Sequence, residues 1–255
     1  MKSNYIKKHF RSHFKQKMRN EGVLTLFNDI FALGEGYVVG GFFRDFIEEK
    51  EESRDIDIII DIDFITLQKI IDSYSLSYEV NRHKGIKIKL NTIEMDIWTF
   101  NNNWAFKNNL VKVNANKKLD SIARGCFYNY DGLVINLKDF SYNLRYYRDF
   151  KNKNMLNIFQ KNQVYKNLNP SVEANILRAI FIKNKFESTF SDHTSYYLYK
   201  KIGDIQDKYG DVLKRLLEVK KTYSKYNSLL NSDIEDFITN FRADFSYKNQ
   251  KLINI

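Results

Sequence analysis

Residues 55–63 read Asp-Ile-Asp-Ile-Ile-Ile-Asp-Ile-Asp. Isoleucine holds every even position, and aspartate holds 55, 57, 61 and 63. Such alternation is strand behaviour, because successive side chains of a strand point to opposite faces. Asp55 and Asp57 therefore project side by side from one face. Two carboxylates that close raise each other's pKa unless a cation sits between them. A hard divalent ion suits the need, and Mg²⁺ takes a few carboxylates plus substrate phosphates. The same run also describes the polar outer face of an edge strand, and Asp-x-Asp alone does not choose between the two.

The preceding segment narrows the choice. Gly40-Gly41-Phe42-Phe43-Arg44-Asp45 follows the short β-rich run Tyr37-Val38-Val39. A strand, a glycine turn, a helix start and a second strand follow one another. Glycines let backbone N–H groups approach a phosphate where a Cβ would obstruct. Arg44 offers a fork of donors to a triphosphate. Further on, Glu94-Met95-Asp96-Ile97-Trp98-Thr99-Phe100 reads as another strand. If it neighbours 55–60, Asp96 can supply a third carboxylate to the metal face. Glu94 has the same parity and is the rival candidate.

Around these strands, residues 4–19 read as a basic helix with Tyr5, Ile6, Phe10 and Phe14 at helical spacing. Residues 23–33 read as a second helix, stopped by Gly34, and 64–74 as another, capped by Asp63. Ser77–Leu90 and Thr92–Phe100 each read as a strand, and 128–139 as a hairpin around Asp131-Gly132. Past residue 150 strand signals fade, and 171–187, 192–206, 210–227 and 231–241 read as amphipathic helices. The expected fold is an α/β head with one mixed sheet over residues 1–150, followed by an all-helical region over 151–255.

Charge is unevenly spread over a net +10. Residues 1–20 carry Lys2, Lys7, Lys8, Arg11, Lys15, Lys17 and Arg19 and no acid. Residues 21–63 are acid-rich. An acidic island in a basic chain suits a metal site that handles a polyanion, though basic surfaces also simply solubilise. The single cysteine, Cys126, excludes an internal disulfide framework. No apolar run reaches the ~18–20 residues of a membrane span, and the N-terminus lacks the apolar region of a signal peptide, so a cytoplasmic protein is expected. His9, His13 and His193 form no zinc spacing with cysteine, and His83 reads as structural or surface. The tyrosines of 142–147 and 196–199 could stack bases, but core packing explains them better.

These segments resemble the class II tRNA nucleotidyltransferase and bacterial poly(A) polymerase family over roughly residues 35–190. That family shows G-G-x-V-R-D, D-x-D and a strand like E-V-x-T-F, matched here by GGFFRD, DID and DIWTF. Its R-R-D-F-T-I-N-A-L-A-Y segment and glycine hairpin match KKLDSIARGCFYNYDGLVINLKDF, and its L-R-A helix matches LRAIFIKNKFESTF. The resemblance implies a polymerase-β-like nucleotidyltransferase head with a helical neck and body. It implies two Mg²⁺ held by Asp55, Asp57 and Asp96 as catalytic ligands. It implies an NTP bound by Gly40, Gly41, Arg44, Lys118, Asn175 and Arg178. The acceptor would be an RNA 3′ end, tRNA or another structured RNA.

The chain departs from the family where the incoming base is read. The family's E-D-x-x-R falls on Ser171-Val172-Glu173-Ala174-Asn175, and none of its three side chains survives. Its R-R-D becomes Lys117-Lys118-Leu119, and its T-I-N-A becomes Ser121-Ile122-Ala123-Arg124. The metal and phosphate residues are kept while the base-selecting ones are rewritten. Template-independent transfer to RNA is the first expectation. Transfer to a protein or small molecule is the alternative, and a non-catalytic RNA-binding relative is a third that intact Asp55 and Asp57 oppose.

Overall fold

Apolar alternation on four central strands builds the sheet, and the helices close over its faces. A computed structural model describes residues 3–50, 55–161 and 172–241. The chain divides into two compact units, Met1–Arg148 and Asp149–Ile255. Among the described residues, no helix is long and apolar enough to cross a membrane.

The first unit opens with α1 (Ser3–Asn20) and α2 (Leu24–Leu33). Ile6, Phe10, Phe14 and Met18 recur every four residues along α1, and all four are buried. Then come β1 (Gly36–Val39), α3 (Gly41–Ile47), β2 (Asp55–Ile60) and α4 (Phe64–Asp72). Phe10 packs edge-on against Phe42, Phe43 and Phe46 of α3, which lays the basic helix against the glycine-turn helix. Next are β3 (Tyr78–Val80), β4 (Ile86–Lys89), β5 (Glu94–Thr99), α5 (Trp104–Lys107), α6 (Lys118–Gly125), β6 (Val134–Asn136) and β7 (Tyr142–Asn143). The seven strands run in the order β3-β4-β5-β2-β1-β6-β7. Only β2 and β5 pair in parallel, and every other neighbour is antiparallel. On one face Tyr37, Val39, Ile59 and Val134 pack with Ile122 and Ala123 of α6. The other face carries Ile56, Ile58 and Ile60, all fully buried.

Three sequence expectations shift. The aspartate run is not one strand, because β2 ends at Ile60. Asp63 caps α4 as expected, accepting a hydrogen bond from the Thr66 N–H at 2.9 Å. Ser77–Leu90 is a hairpin rather than one strand: the Asn81 side chain accepts from the His83 and Gly85 N–H groups and turns β3 into β4. Asp131-Gly132 is not a hairpin turn. Residues Asn129–Asp131 form a 3₁₀ turn ahead of β6, and the hairpin pivots instead at 138–140, where Asp139 accepts from the Ser141 N–H and Phe140 takes a φ of 58°.

α7 (Arg145–Lys153) leads into the second unit. There α8 (Val172–Phe186), α9 (Asp192–Tyr209), α10 (Val212–Lys220) and a last helix over 231–241 carry most of the described residues. Ile176, Leu177 and Ile180 of α8 and Tyr197, Leu198 and Ile202 of α9 are fully buried. α9 overruns its expected end and stops at Gly210, which takes a φ of 76°. The helix expected over 210–227 ends at Lys220 and is followed by a 3₁₀ turn at Ser224–Tyr226. Two short parallel strands, β8 (Met155–Leu156) and β9 (Thr189–Phe190), had no legible sequence signal.

Candidate active site

The site is set by strand register. In β2, Asp55 and Asp57 are exposed while Ile56 and Ile58 are buried, so the two carboxylates stand on one face. β5 lies parallel beside β2, with Asp55 opposite Glu94 and Asp57 opposite Asp96. Residues opposite each other across a strand pair share a face. Asp55, Asp57, Glu94 and Asp96 thus form one acidic patch on two adjacent strands. β4 adds Lys87 opposite Asp96 and Lys89 opposite Glu94.

Lys87 is the residue that sequence reading missed. Its ammonium donates to Glu94 Oε2 at 3.1 Å and to Asp96 Oδ2 at 3.2 Å. Burial pulls Lys87 down, but the Glu94 and Asp96 hydrogen bonds and charges outweigh it and hold the ammonium above its ordinary value. The Lys87 hydrogen bond, followed by its charge, holds Glu94 below the usual carboxylate range. The Ile-Lys-Ile-Lys alternation of 86–89 was a legible signal for the face of Lys87. Its partners were not legible, because they depend on which strand β4 joins.

The glycine turn sits at the same end of the sheet, since Val39 is opposite Asp57. Gly40 adopts φ 70°, a conformation that side chains with a Cβ rarely adopt. Its N–H donates to Leu133 O at 3.1 Å. Gly41 begins α3.

Arg44, expected to meet a triphosphate, is engaged within the protein. Its Nη1 donates to Asp131 Oδ1 at 3.1 Å, its Nε lies 3.6 Å from Asp45 Oδ1, and its guanidinium stacks 4.3 Å over the Tyr130 ring. Only 11% of the side chain is exposed. This arrangement clamps the glycine-turn helix to the 129–131 turn. The Cys126 thiol donates to Asp131 O at 3.1 Å and joins the same cluster.

Lys118 is not brought to the carboxylates. Its Nζ donates to Asp61 Oδ2 at 2.6 Å and to Glu35 Oε2 at 3.1 Å. Glu35 precedes β1 and Asp61 follows β2, so this cluster sits at the opposite strand ends, about 13 Å along the chain from Asp57 at ~3.3 Å per residue. The Tyr37 hydroxyl donates to Glu35 and, ahead of Lys118, lowers its pKa against the upward pull of burial. The Asp61 hydrogen bond raises Lys118. A cavity of about 540 Å³ opens here, lined by Lys118, Glu35, Tyr37, Asn136, Asn143 and Arg148. None of the four patch carboxylates lines it.

The positions expected from the resemblance to face an incoming base, 172–178, lie on α8 in the second unit. Ser171 falls outside the described residues. Glu173 accepts from Arg215 Nε at 2.8 Å and is mostly buried, so it is held within its own unit. Asn175 lies beside the Tyr197 hydroxyl, where burial raises the phenol and the Asn175 contact opposes it. Arg178 is half-buried one turn along.

Among the described residues, no three His, Cys, Asp or Glu side chains gather as ligands around one point. The donor chemistry still suits a hard cation, because three aspartates stand at adjacent register positions on one face. Asp96 also accepts a hydrogen bond from Lys87 of β4.

The fold matches solved CCA-adding enzymes. A complex of CCA-adding enzyme with CTP aligns at a TM-score of 0.60 and 18% identity, covering 91% of this chain and 54% of that one. A complex with ATP aligns at 0.57 and 18%, covering 88% and 52%. The Thermotoga maritima CCA-adding enzyme complexed with tRNA aligns at 0.52 and 19%, covering 76% and 44%. The chain spans about half the length of the solved structures it matches. No family model and no curated protein matches the sequence. The likeness is one of fold, a seven-stranded mixed sheet followed by a helical region.

Proposed function

We propose that a chain with this fold uses its carboxylate face to transfer a nucleotide from an NTP to an acceptor hydroxyl, releasing pyrophosphate. The observation that carries the reading is the register of β2 and β5, which puts Asp55, Asp57 and Asp96 on one face at the glycine-turn end of the sheet. Asp55, Asp57 and Asp96 would hold Mg²⁺, two ions in the reading we favour, and bound Mg²⁺ supplies Lewis-acid stabilisation of phosphoryl charge and a more acidic acceptor hydroxyl. The Gly40–Gly41 turn leaves room for a triphosphate at that end, with contact falling to Gly41 because the Gly40 N–H is committed. Arg44 acts by holding that turn in place through Asp131. Catalysis in this scheme is positioning and electrostatics.

We assign the acceptor to an RNA 3′ end, tRNA or a structured RNA like it. The net charge of +10 favours a polyanion, and a matching fold was solved with tRNA. The test incubates the full chain with each α-labelled NTP and Mg²⁺, with and without total RNA. Label should enter RNA. Label in protein or a small product would move the acceptor to another class, and no label with any NTP would sink the transferase reading. Asp55→Asn and Asp57→Asn should drop incorporation to background while thermal unfolding stays close to wild type, since each removes an exposed ligand and no core packing. Asp96→Asn should also lower turnover severely.

A further inference from the structure

The acidic patch carries a cation of its own. Across three strands the register forms the row Lys87–Asp96–Asp57, and the next row is Lys89–Glu94–Asp55. Lys89 reaches away to Glu79 at 3.6 Å, whereas Lys87 reaches into the patch. Its ammonium is divided between Glu94 and Asp96 at nearly equal distance. The oxygen it takes from Asp96 belongs to the carboxylate that Asp57 faces across the strand pair.

We propose that Lys87 and Glu94 together set the divalent-ion affinity of the Asp55, Asp57 and Asp96 face, Lys87 by competing with the ion for Asp96 and Glu94 by sharing the ammonium and so limiting that competition. The inference rests on the metal-holding role proposed above. The physics is charge balance. With Lys87 present, the four carboxylates and one ammonium sum to −3, and without it to −4. A more negative face binds a divalent cation more tightly. Part of the difference is screened, because the Lys87, Glu94 and Asp96 side chains are 29–43% exposed. Glu94 has the opposite effect: once it is neutral, Asp96 is the one anionic partner left to the Lys87 ammonium within the patch. Lys87 and Glu94 are thus positioning residues for the ion, not groups that touch the reacting phosphorus.

The test titrates Mn²⁺ into the full-length protein and follows free ion by electron paramagnetic resonance, without substrate. Lys87→Met should lower the Mn²⁺ Kd on the order of 3- to 10-fold. Lys87→Arg keeps the charge and should stay within about twofold of wild type. Glu94→Gln should raise the Kd by a similar factor. The double variant Lys87→Met/Glu94→Gln restores the wild-type charge sum and should return near the wild-type Kd, the two opposed effects cancelling. Thermal melts of each variant check that the fold is retained. An unchanged or weakened Kd in Lys87→Met, or a double variant as weak as Glu94→Gln alone, overturns the proposal. The two layers fail differently. If Asp57→Asn abolishes Mn²⁺ binding while Lys87→Met leaves it alone, only the tuning role falls. If Asp57→Asn binds Mn²⁺ like wild type, or wild type binds none, the metal face itself falls and the tuning role with it.

Discussion

Arg44 shows how a single side chain changes meaning between sequence and structure. In the sequence it follows a glycine pair, which suits a triphosphate ligand. In the fold it lies 11% exposed, clamped by Asp131 and Asp45 and stacked on Tyr130. Removing one partner of such a pair leaves the other charge desolvated, which costs more than the pair itself contributes. Asp131→Ala should therefore destabilise the protein by roughly 1–3 kcal/mol, read by urea unfolding. Arg44→Lys, which cannot reproduce the planar stack or the fork, should fall between wild type and Arg44→Ala. If both Arg44 variants keep full stability and lose only NTP affinity, the guanidinium is a substrate ligand after all. Lys118 shifts in the same way, from an expected NTP contact to an ion-pair hub with Glu35 and Asp61.

At the scale of elements, α1 presents two unlike faces. Ile6, Phe10, Phe14 and Met18 are buried on one side, while Lys8, Arg11, Lys15 and Arg19 are exposed. The spacing of 8, 11, 15 and 19 puts these bases in one stripe along the helix, with about 6 Å of rise between bases four residues apart. Deleting the segment would remove core aromatics along with the charge, so it cannot isolate an electrostatic role. Charge reversal of Lys8, Arg11, Lys15 and Arg19 to Glu keeps the buried face. If α1 contacts RNA phosphates, RNA affinity should fall and the slope of log K against log salt should flatten by up to about 3, near 0.7 per lost phosphate contact on single strands. An unchanged slope in filter-binding titrations would take α1 out of the RNA interface. Amphipathic spacing made α1, α2, α8 and α9 legible as helices. Asn81 and Asp139 were harder to read, because Asx and Ser turns reverse strands at positions that hydrophobic period alone does not mark.

At the scale of the whole molecule the question is base choice. Val172 cannot hydrogen-bond through its side chain, Glu173 is held by Arg215, and Asn175 lies against the Tyr197 hydroxyl. A site built from donors and acceptors matched to a base edge rejects misfits because buried groups go unpaired, and without those groups the penalty is lost. The protein should show either relaxed NTP use or preference for one base set by other residues. It should not switch from CTP to ATP on a tRNA-like acceptor. Sequencing the 3′ ends of products made with all four NTPs checks this, and an ordered C-C-A tail would overturn it.

What the sequence determined by itself was local and periodic. The parity of Asp55 and Asp57, the glycine turn, the Asp63 cap and the amphipathic helices all follow from spacing that each segment carries alone. Tertiary structure decided everything that depends on which strand lies beside which. It put Asp96 opposite Asp57, brought Lys87 from β4 onto the same acidic face, and carried Lys118 to the far end of the sheet. It also turned Asp61 from a strand-face carboxylate into the partner of Lys118. Register between strands is set by long-range packing of their apolar faces, so neither a carboxylate's neighbours nor a cation's partners are written in the segment that bears them.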